Sequence, residues 1–200
     1  MVKIKICGLS SPCDIESVNA EKPEYIGFVF AQSRRKVTRI QAANLRKILS
    51  PDIIPIGIFV DETIPNIVPL VSDGIIDIIQ LHGSEDEEYI QNLRRLTDKP
   101  IIKAIGVQKK EDVQKWSATT ADYLLLDHTS GGTGKTFDWD LIGEIRNSYF
   151  LAGGLNPENV TQAIQKTAPY AVDVSSGVET EGKKDPVKIR EFIRRIRNGY

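Results

Sequence analysis

The sequence is poor in several features that would have assigned its class at once. It carries only two cysteines, Cys7 and Cys13, in 200 residues. That is too few for a disulfide framework, so a reducing cytoplasm is the expected location. Neither sign of charge dominates, since the formal net charge is −1. A dedicated nucleic-acid binder would carry a basic stripe, so no nucleic-acid partner is expected. No apolar run approaches the roughly 20 residues that span a bilayer, and no membrane partner is expected either. The N-terminus, Met1-Val-Lys-Ile-Lys-Ile6, lacks the pattern of a signal peptide and reads as a strand from its start. No Cys/His/carboxylate cluster has metal-ligand spacing, and His128 has no second ligand near it, so no metal is expected. A Gly-x-Ser-x-Gly elbow for acyl transfer is missing as well. The segment Gly131-Gly-Thr-Gly-Lys-Thr136 comes near a nucleotide P-loop, but that motif needs a glycine where Thr129 stands.

What the chain does contain is a repeated alternation of short apolar strands and helical patterns. Strands are predicted near Lys3–Cys7, Tyr25–Phe30, Ile53–Val60, Ile76–Leu81, Ile101–Ile105, Tyr123–Asp127, Tyr149–Ala152 and Ala171–Ser175, with a helical stretch after each. Thr38 with Gln41, and Ser84 with Glu87, have the spacing of capping boxes. After Ser84, an apolar face is built from Tyr89, Ile90, Leu93 and Leu96. The last helix starts at Asp185-Pro186 and buries Ile189, Phe192, Ile193 and Ile196. Its arginines Arg194, Arg195 and Arg197 suit the negative end of the helix dipole. Eight β-then-α units over residues 1–200, with no linker between them, predict an α/β protein of one domain, a (β/α)8 TIM barrel. An open doubly wound sheet is the structural alternative. The polar, glycine-rich segment His128–Trp139 is expected to be a mobile loop over the strand C-terminal ends.

In such a barrel the chemistry sits where strands end. Alternation along the strands places Lys3, Lys5 and Cys7 inside, with Cys7 at the mouth, and brings Asp127, Asp173 and Ser175 to the same interior face. Each of these has a plain alternative. Cys7 could be a small buried hydrophobe, Asp127 a loop cap, and Asp173 a partner for a backbone N–H. Convergence on one rim favours a functional reading. His82 also ends a strand and either transfers a proton or orients a loop or a neighbouring side chain. Ser33-Arg-Arg-Lys36 follows the second strand, and a guanidinium there could grip a carboxylate or form a solvated basic turn. Lys135 is expected to be a loop contact to an anionic substrate.

Phosphate binding is suggested by two turns near the C-terminus. Leu151-Ala-Gly-Gly-Leu-Asn-Pro-Glu-Asn-Val160 places Gly153 and Gly154 just ahead of Asn156, a candidate cap for a helix with Pro157 at its first position. Val172-Asp-Val-Ser-Ser-Gly-Val-Glu179 ends a strand in Ser176 and Gly177. Small residues beside helix starts leave N–H groups open to an anion, and two such turns in succession predict one phosphate site.

Taken in order, Lys5-Ile-Cys-Gly8, Gly27-Phe-Val-Phe30, Gln80-Leu-His-Gly83, the aspartate of Leu125-Leu-Asp127, Gly134-Lys-Thr-Phe-Asp-Trp139, Gly153-Gly-Leu-Asn-Pro-Glu-Asn159 and Val172–Glu179 resemble the phosphoribosylanthranilate isomerase family of tryptophan biosynthesis. The resemblance covers nearly the whole chain. It implies a (β/α)8 barrel that performs an Amadori rearrangement on a small phosphosugar–anthranilate substrate, without cofactor or metal. It assigns the general base to Cys7 and the general acid to Asp127. Substrate contacts fall on Arg35 (with Arg34 the alternative for gripping the carboxylate), Asp173, Gly153, Gly154, Ser176 and Gly177. The acid must stay protonated far above the usual aspartate range, and burial with the substrate's charges is expected to do this. The thiol must ionise, with Lys5 expected to help. Two rivals remain at this point. One is the related histidine-pathway isomerase, which is expected to carry a carboxylate where Cys7 stands. The other is a non-catalytic phosphate sensor or a thiol switch using Cys7 and Cys13. Nothing marks an obligate interface, so a monomer is expected.

Overall fold

In the computed structural model, which describes residues 1–128 and 136–199, the interior side chains fall into two layers. The outer layer lies between strands and helices and includes Ile4, Ile6, Leu124, Leu126, Val172, Val174 and the apolar face of the last helix. The inner layer fills the space enclosed by the strands with Tyr25, Ile56, Ile78, Ile102, Leu125, Phe150 and Ala171. Successive residues of one strand therefore belong to different layers, as the period of two requires.

The strands are β1 (Lys3–Cys7), β2 (Tyr25–Val29), β3 (Ile54–Phe59), β4 (Ile78–Leu81), β5 (Ile101–Gly106), β6 (Tyr123–Asp127), β7 (Tyr149–Leu151) and β8 (Ala171–Val174). All pair in parallel and in sequence order, and β8 returns to β1, so the sheet closes into the expected barrel. Closure brings Lys5 of β1 opposite Asp173 of β8. The doubly wound alternative is excluded, because an open sheet leaves two edges.

Seven α-helices surround the strands among the described residues: α1 (Pro12–Glu21), α2 (Arg39–Ile48), α3 (Ile64–Ser72), α4 (Glu87–Arg94), α5 (Lys110–Gln114), α6 (Val160–Thr167) and α7 (Pro186–Asn198). A helix after every strand was expected, but between β6 and β7 the described residues form only a 3-10 turn at Trp139–Leu141. Gly143, at φ 60°, breaks the helical path just beyond that turn. The loop expected over the strand ends lies mostly outside the described residues.

The capping predictions divide. Thr38 and Gln41 make the reciprocal box that opens α2. Ser84 does not cap α4, because its N–H and hydroxyl both donate to Asp61 Oδ1, at 2.7 Å each. Asp86 takes that place and accepts from the Tyr89 N–H. Glu87 turns away to Thr119 and Thr120. Leu96 falls beyond the last turn of α4 and is 61% exposed, so it is not part of the buried face. Similarly, Asn156 caps a non-helical turn, accepting from Glu158 and Asn159, and α6 begins only at Val160. Strand β4 starts two residues late because the Ile76 N–H is drawn back to Leu70 O at the end of α3.

The lower end of the barrel is closed by aromatic rings. Lys3 Nζ donates to Tyr170 at 2.7 Å and Tyr25 at 3.2 Å, and Tyr123 stacks on Tyr170 with centroids 5.0 Å apart. This leaves the opposite end, where the strands finish, as the open mouth. Helix α7 seals the outer layer with Ile189, Phe192, Ile193 and Ile196, all essentially buried. Phe192→Ala is expected to cost about 3–5 kcal/mol through lost transfer energy and the cavity left behind. Urea unfolding measures it, and a loss below about 1 kcal/mol would contradict this packing.

Candidate active site

At the centre of the mouth lies a buried cation. Lys5 is wholly inaccessible to solvent. Its ammonium donates to Asp173 Oδ2 at 2.8 Å and to Gln80 Oε1 at 2.6 Å. Burial works against its charge, but Asp173 and the neighbouring Cys7 more than compensate, and its pKa rises above the ordinary lysine value. The other carboxylate oxygen, Asp173 Oδ1, is buried with no protein partner among the described residues. An unpaired buried acceptor is costly, so this oxygen is left with an unmet demand for a donor.

Cys7 ends β1 one strand repeat above Lys5, on the same interior face. Burial pushes its thiol up, and the positive charges of Lys5, Lys184 and Arg35 pull it down without reversing the shift. The expected help from Lys5 is therefore present but outweighed in the free protein. Cys13 stands exposed on α1, and both cysteines are free thiols.

Asp127 ends β6 and is nearly buried. Its Oδ1 accepts from the His128 N–H at 2.7 Å, and its Oδ2 lies 3.4 Å from His82 Nε2. His82 follows β4, with its Nδ1 2.8 Å from Gln80 Nε2. Its position is fixed through Glu85, which accepts from the N–H groups of Asp61 and Gly83 and pairs with buried Lys103 at 2.9 Å.

A second cluster of charge borders Cys7. Beyond β8 the chain forms a 3-10 turn at Ser176–Val178 and a small hairpin, β9 (Glu179–Thr180) with β10 (Lys183–Lys184). Glu179 binds Arg35 through both carboxylate oxygens, Nε at 2.6 Å and Nη2 at 2.8 Å, and meets Arg34 and Lys184 as well. Burial opposes the Glu179 charge, but these donors hold its carboxyl below the usual range. Lys184 also donates to Ser175 O at 2.9 Å, and Ser175 Oγ donates to Cys7 O at 3.1 Å. The two arginines differ in setting: the Arg35 side chain is 14% exposed and that of Arg34 is 58% exposed.

The two small-residue turns meet. A Cβ on Gly177 would lie 1.9 Å from Leu155 O, so only glycine allows the β8 turn to rest against the β7 turn. Gly153 and Gly154 both take left-handed backbone, at φ 80° and 64°. The N–H groups of Gly153, Gly154, Ser176 and Gly177 donate to no acceptor among the described residues. The two turns stand at neighbouring strand ends, beyond β7 and β8.

The sequence-predicted residues Cys7, Asp127, Asp173, Arg35, His82 and the four turn residues thus share one end of the barrel. Lys135 lies outside the described residues. Gln80, Glu179 and Lys184 carry much of the geometry but had no role assigned from sequence. Among the described residues no group of three or more His, Cys, Asp or Glu could hold a metal ion, and no helix is long and apolar enough to cross a membrane.

The family model for N-(5'-phosphoribosyl)anthranilate (PRA) isomerase matches residues 4–195. The chain belongs to the PRA isomerase family. A curated relative of that name from Endomicrobium trichonymphae is 48% identical over 202 residues, covering 99% of this chain and 100% of the relative. The crystal structure of the Thermus thermophilus enzyme superposes with a TM-score of 0.90 at 28% identity, covering both chains fully. Another solved PRA isomerase, in complex with reduced 1-(o-carboxyphenylamino)-1-deoxyribulose 5-phosphate, is 34% identical with a TM-score of 0.86, covering 99% of this chain and 100% of that one.

The electrostatics of Cys7 lead to a titration. In a Cys13→Ser background, the ultraviolet absorbance of the Cys7 thiolate is expected to appear only above the ordinary thiol pKa of about 8.5, because burial outweighs the nearby cations. Ionisation complete below neutral pH would contradict this.

Proposed function

We propose that this chain isomerises N-(5'-phosphoribosyl)anthranilate to 1-(2-carboxyphenylamino)-1-deoxyribulose 5-phosphate in tryptophan biosynthesis, with Asp127 as general acid and Cys7 as general base. The observation that carries the reading is the convergence of a thiol, a carboxyl and a patch of open N–H groups on one mouth, in a member of this family.

The 5'-phosphate would sit on the N–H groups of Gly153, Gly154, Ser176 and Gly177, which sets the sugar between β1 and β6. The anthranilate carboxylate would meet Arg35 on the guanidinium edge that Glu179 leaves free. Asp173 Oδ1 would accept a sugar hydroxyl. Asp127 then gives its proton to the ring oxygen as the C1'–O bond breaks and the nitrogen lone pair forms the Schiff base. The positive nitrogen acidifies C2'–H. Cys7, as thiolate, takes that proton, and the electron pair moves to give the enolamine. Gain of a proton at C1' and loss of the 2'-hydroxyl proton yield the ketone. No electrons leave the substrate, so the reaction balances without an external oxidant.

A cysteine where the related histidine-pathway isomerase is expected to carry a carboxylate supports this reading over that one. The thiol-switch alternative gains nothing from the geometry, since Cys13 is exposed on α1 and Cys7 faces the mouth. The same proposal takes the whole chain as one catalytic unit acting as a monomer in the cytoplasm. A solved Thermotoga maritima structure, 36% identical, is of generated monomers of a dimeric phosphoribosylanthranilate isomerase.

Turnover is read by supplying phosphoribosylanthranilate and following the loss of its anthranilate fluorescence. Pure folded protein without turnover would reject the reading. Cys7→Ala and Asp127→Asn are each expected to lower kcat by at least about 10²-fold, and wild-type rates in both would overturn the assigned roles. Arg35→Ala is expected to act mainly on KM. If Arg34→Ala has that effect instead, the carboxylate contact belongs to Arg34.

A further inference from the structure

We propose that Gln80 is a positioning residue that fixes His82 as the neutral Nε2–H tautomer, so that the imidazole turns its N–H to the Asp127 side and cannot take the proton of that carboxyl. The inference rests on the reading of Asp127 as the acid, but its central observable does not depend on turnover.

Lys5 has only donors to offer. Its ammonium stands 2.6 Å from one end of the Gln80 amide, and that end must therefore be the oxygen. The other end is then the NH2, and it lies 2.8 Å from His82 Nδ1. An amide NH2 can only donate, so Nδ1 must accept. A neutral imidazole that accepts at Nδ1 carries its proton on Nε2. The ring orientation is supported from both sides, because Nε2 faces Asp127 Oδ2 at 3.4 Å while Nδ1 faces Gln80. Gln80 is itself locked, being buried on β4 with both amide atoms used.

The consequence is chemical. With Nδ1 occupied and Nε2 protonated, His82 has no lone pair for the Asp127 proton. The backbone N–H of His128 occupies Asp127 Oδ1. With His82 unable to accept it, the acid proton has a bound substrate as its available acceptor. The chain Asp173–Lys5–Gln80–His82–Asp127 also crosses the mouth, so the cation beside Cys7 and the acid on β6 are tied by one series of contacts. Gln80→Glu would change this. A carboxylate accepts from Lys5 and equally wants a donor from His82, so the proton would move to Nδ1 and Nε2 would become an acceptor facing Asp127.

The test is 15N NMR of imidazole-labelled full-length protein at neutral pH. The chain has two histidines, so a His128→Gln sample assigns the signals. The expected result is His82 as a single neutral tautomer protonated on Nε2, changing to the Nδ1–H form in Gln80→Glu. A wild-type His82 protonated on Nδ1, or doubly protonated, would overturn the proposal, as would an unchanged tautomer in folded Gln80→Glu. If that variant does not fold, Gln80→Met removes the donor without adding charge and is expected to lose the single tautomer, and keeping it would overturn the proposal. In the isomerase assay, Gln80→Glu is expected to lower kcat by about 10²-fold with KM little changed. A protein with the expected tautomer but no turnover would sink the functional reading and leave this assignment standing.

Discussion

The mouth of the barrel is organised around one buried ammonium. Lys5 lies where eight strands converge, without access to solvent, and an isolated charge there would cost several kcal/mol. It is tolerated because Asp173 and Gln80 satisfy it from either side. Those contacts exist only if β8 closes on β1 and if β4 presents its polar residue inward. The ion pair is thus compatible only with the closed barrel in this register, and the same arrangement places a positive charge beside the Cys7 thiol. A hydrophobic replacement could fill the space with similar stability, but it would remove the charge and the order of donors that reaches Asp127.

The rim uses the other polar groups to hold loops in place. Glu179 gathers Arg34, Arg35 and Lys184, so the turn after β2 and the hairpin after β8 meet beside Cys7. Lys103 and Glu85 do the same on the opposite flank, binding the turns after β3 and β4 and setting His82. Gly177 rests against Leu155 and joins the turns after β7 and β8. Each device acts between neighbouring strand ends, so the site inherits its precision from the sheet and its chemistry from the loops.

Much of this was legible in the sequence. The period of two sorted Lys5, Cys7, Asp127 and Asp173 to the interior, because polar residues inside an apolar strand stand out. The helix ends were less legible. Ser84 has the spacing of a cap, but Asp61, distant in sequence, claims both its donors. Asn156 and Pro157 look like a helix start, yet the chain makes a separate turn before α6. Among the described residues only a 3-10 turn stands between β6 and β7, and Gly143 just beyond it takes a left-handed backbone angle that sequence does not state. Gln80 could have been found by the same alternation that found Asp173. Its function lies in what its amide joins, and those partners are 75 residues and 2 residues away. Glu179 and Lys184 become meaningful only once the hairpin folds back over the mouth.

The most direct test of the central claim is the Cys7 thiol titration in Lys5→Met, in a Cys13→Ser background, with circular dichroism confirming the fold. If the buried ammonium is what draws the thiol toward ionisation, thiolate formation moves to higher pH than in the parent protein. A thiol that titrates at the same pH or lower in a folded Lys5→Met protein would contradict the account.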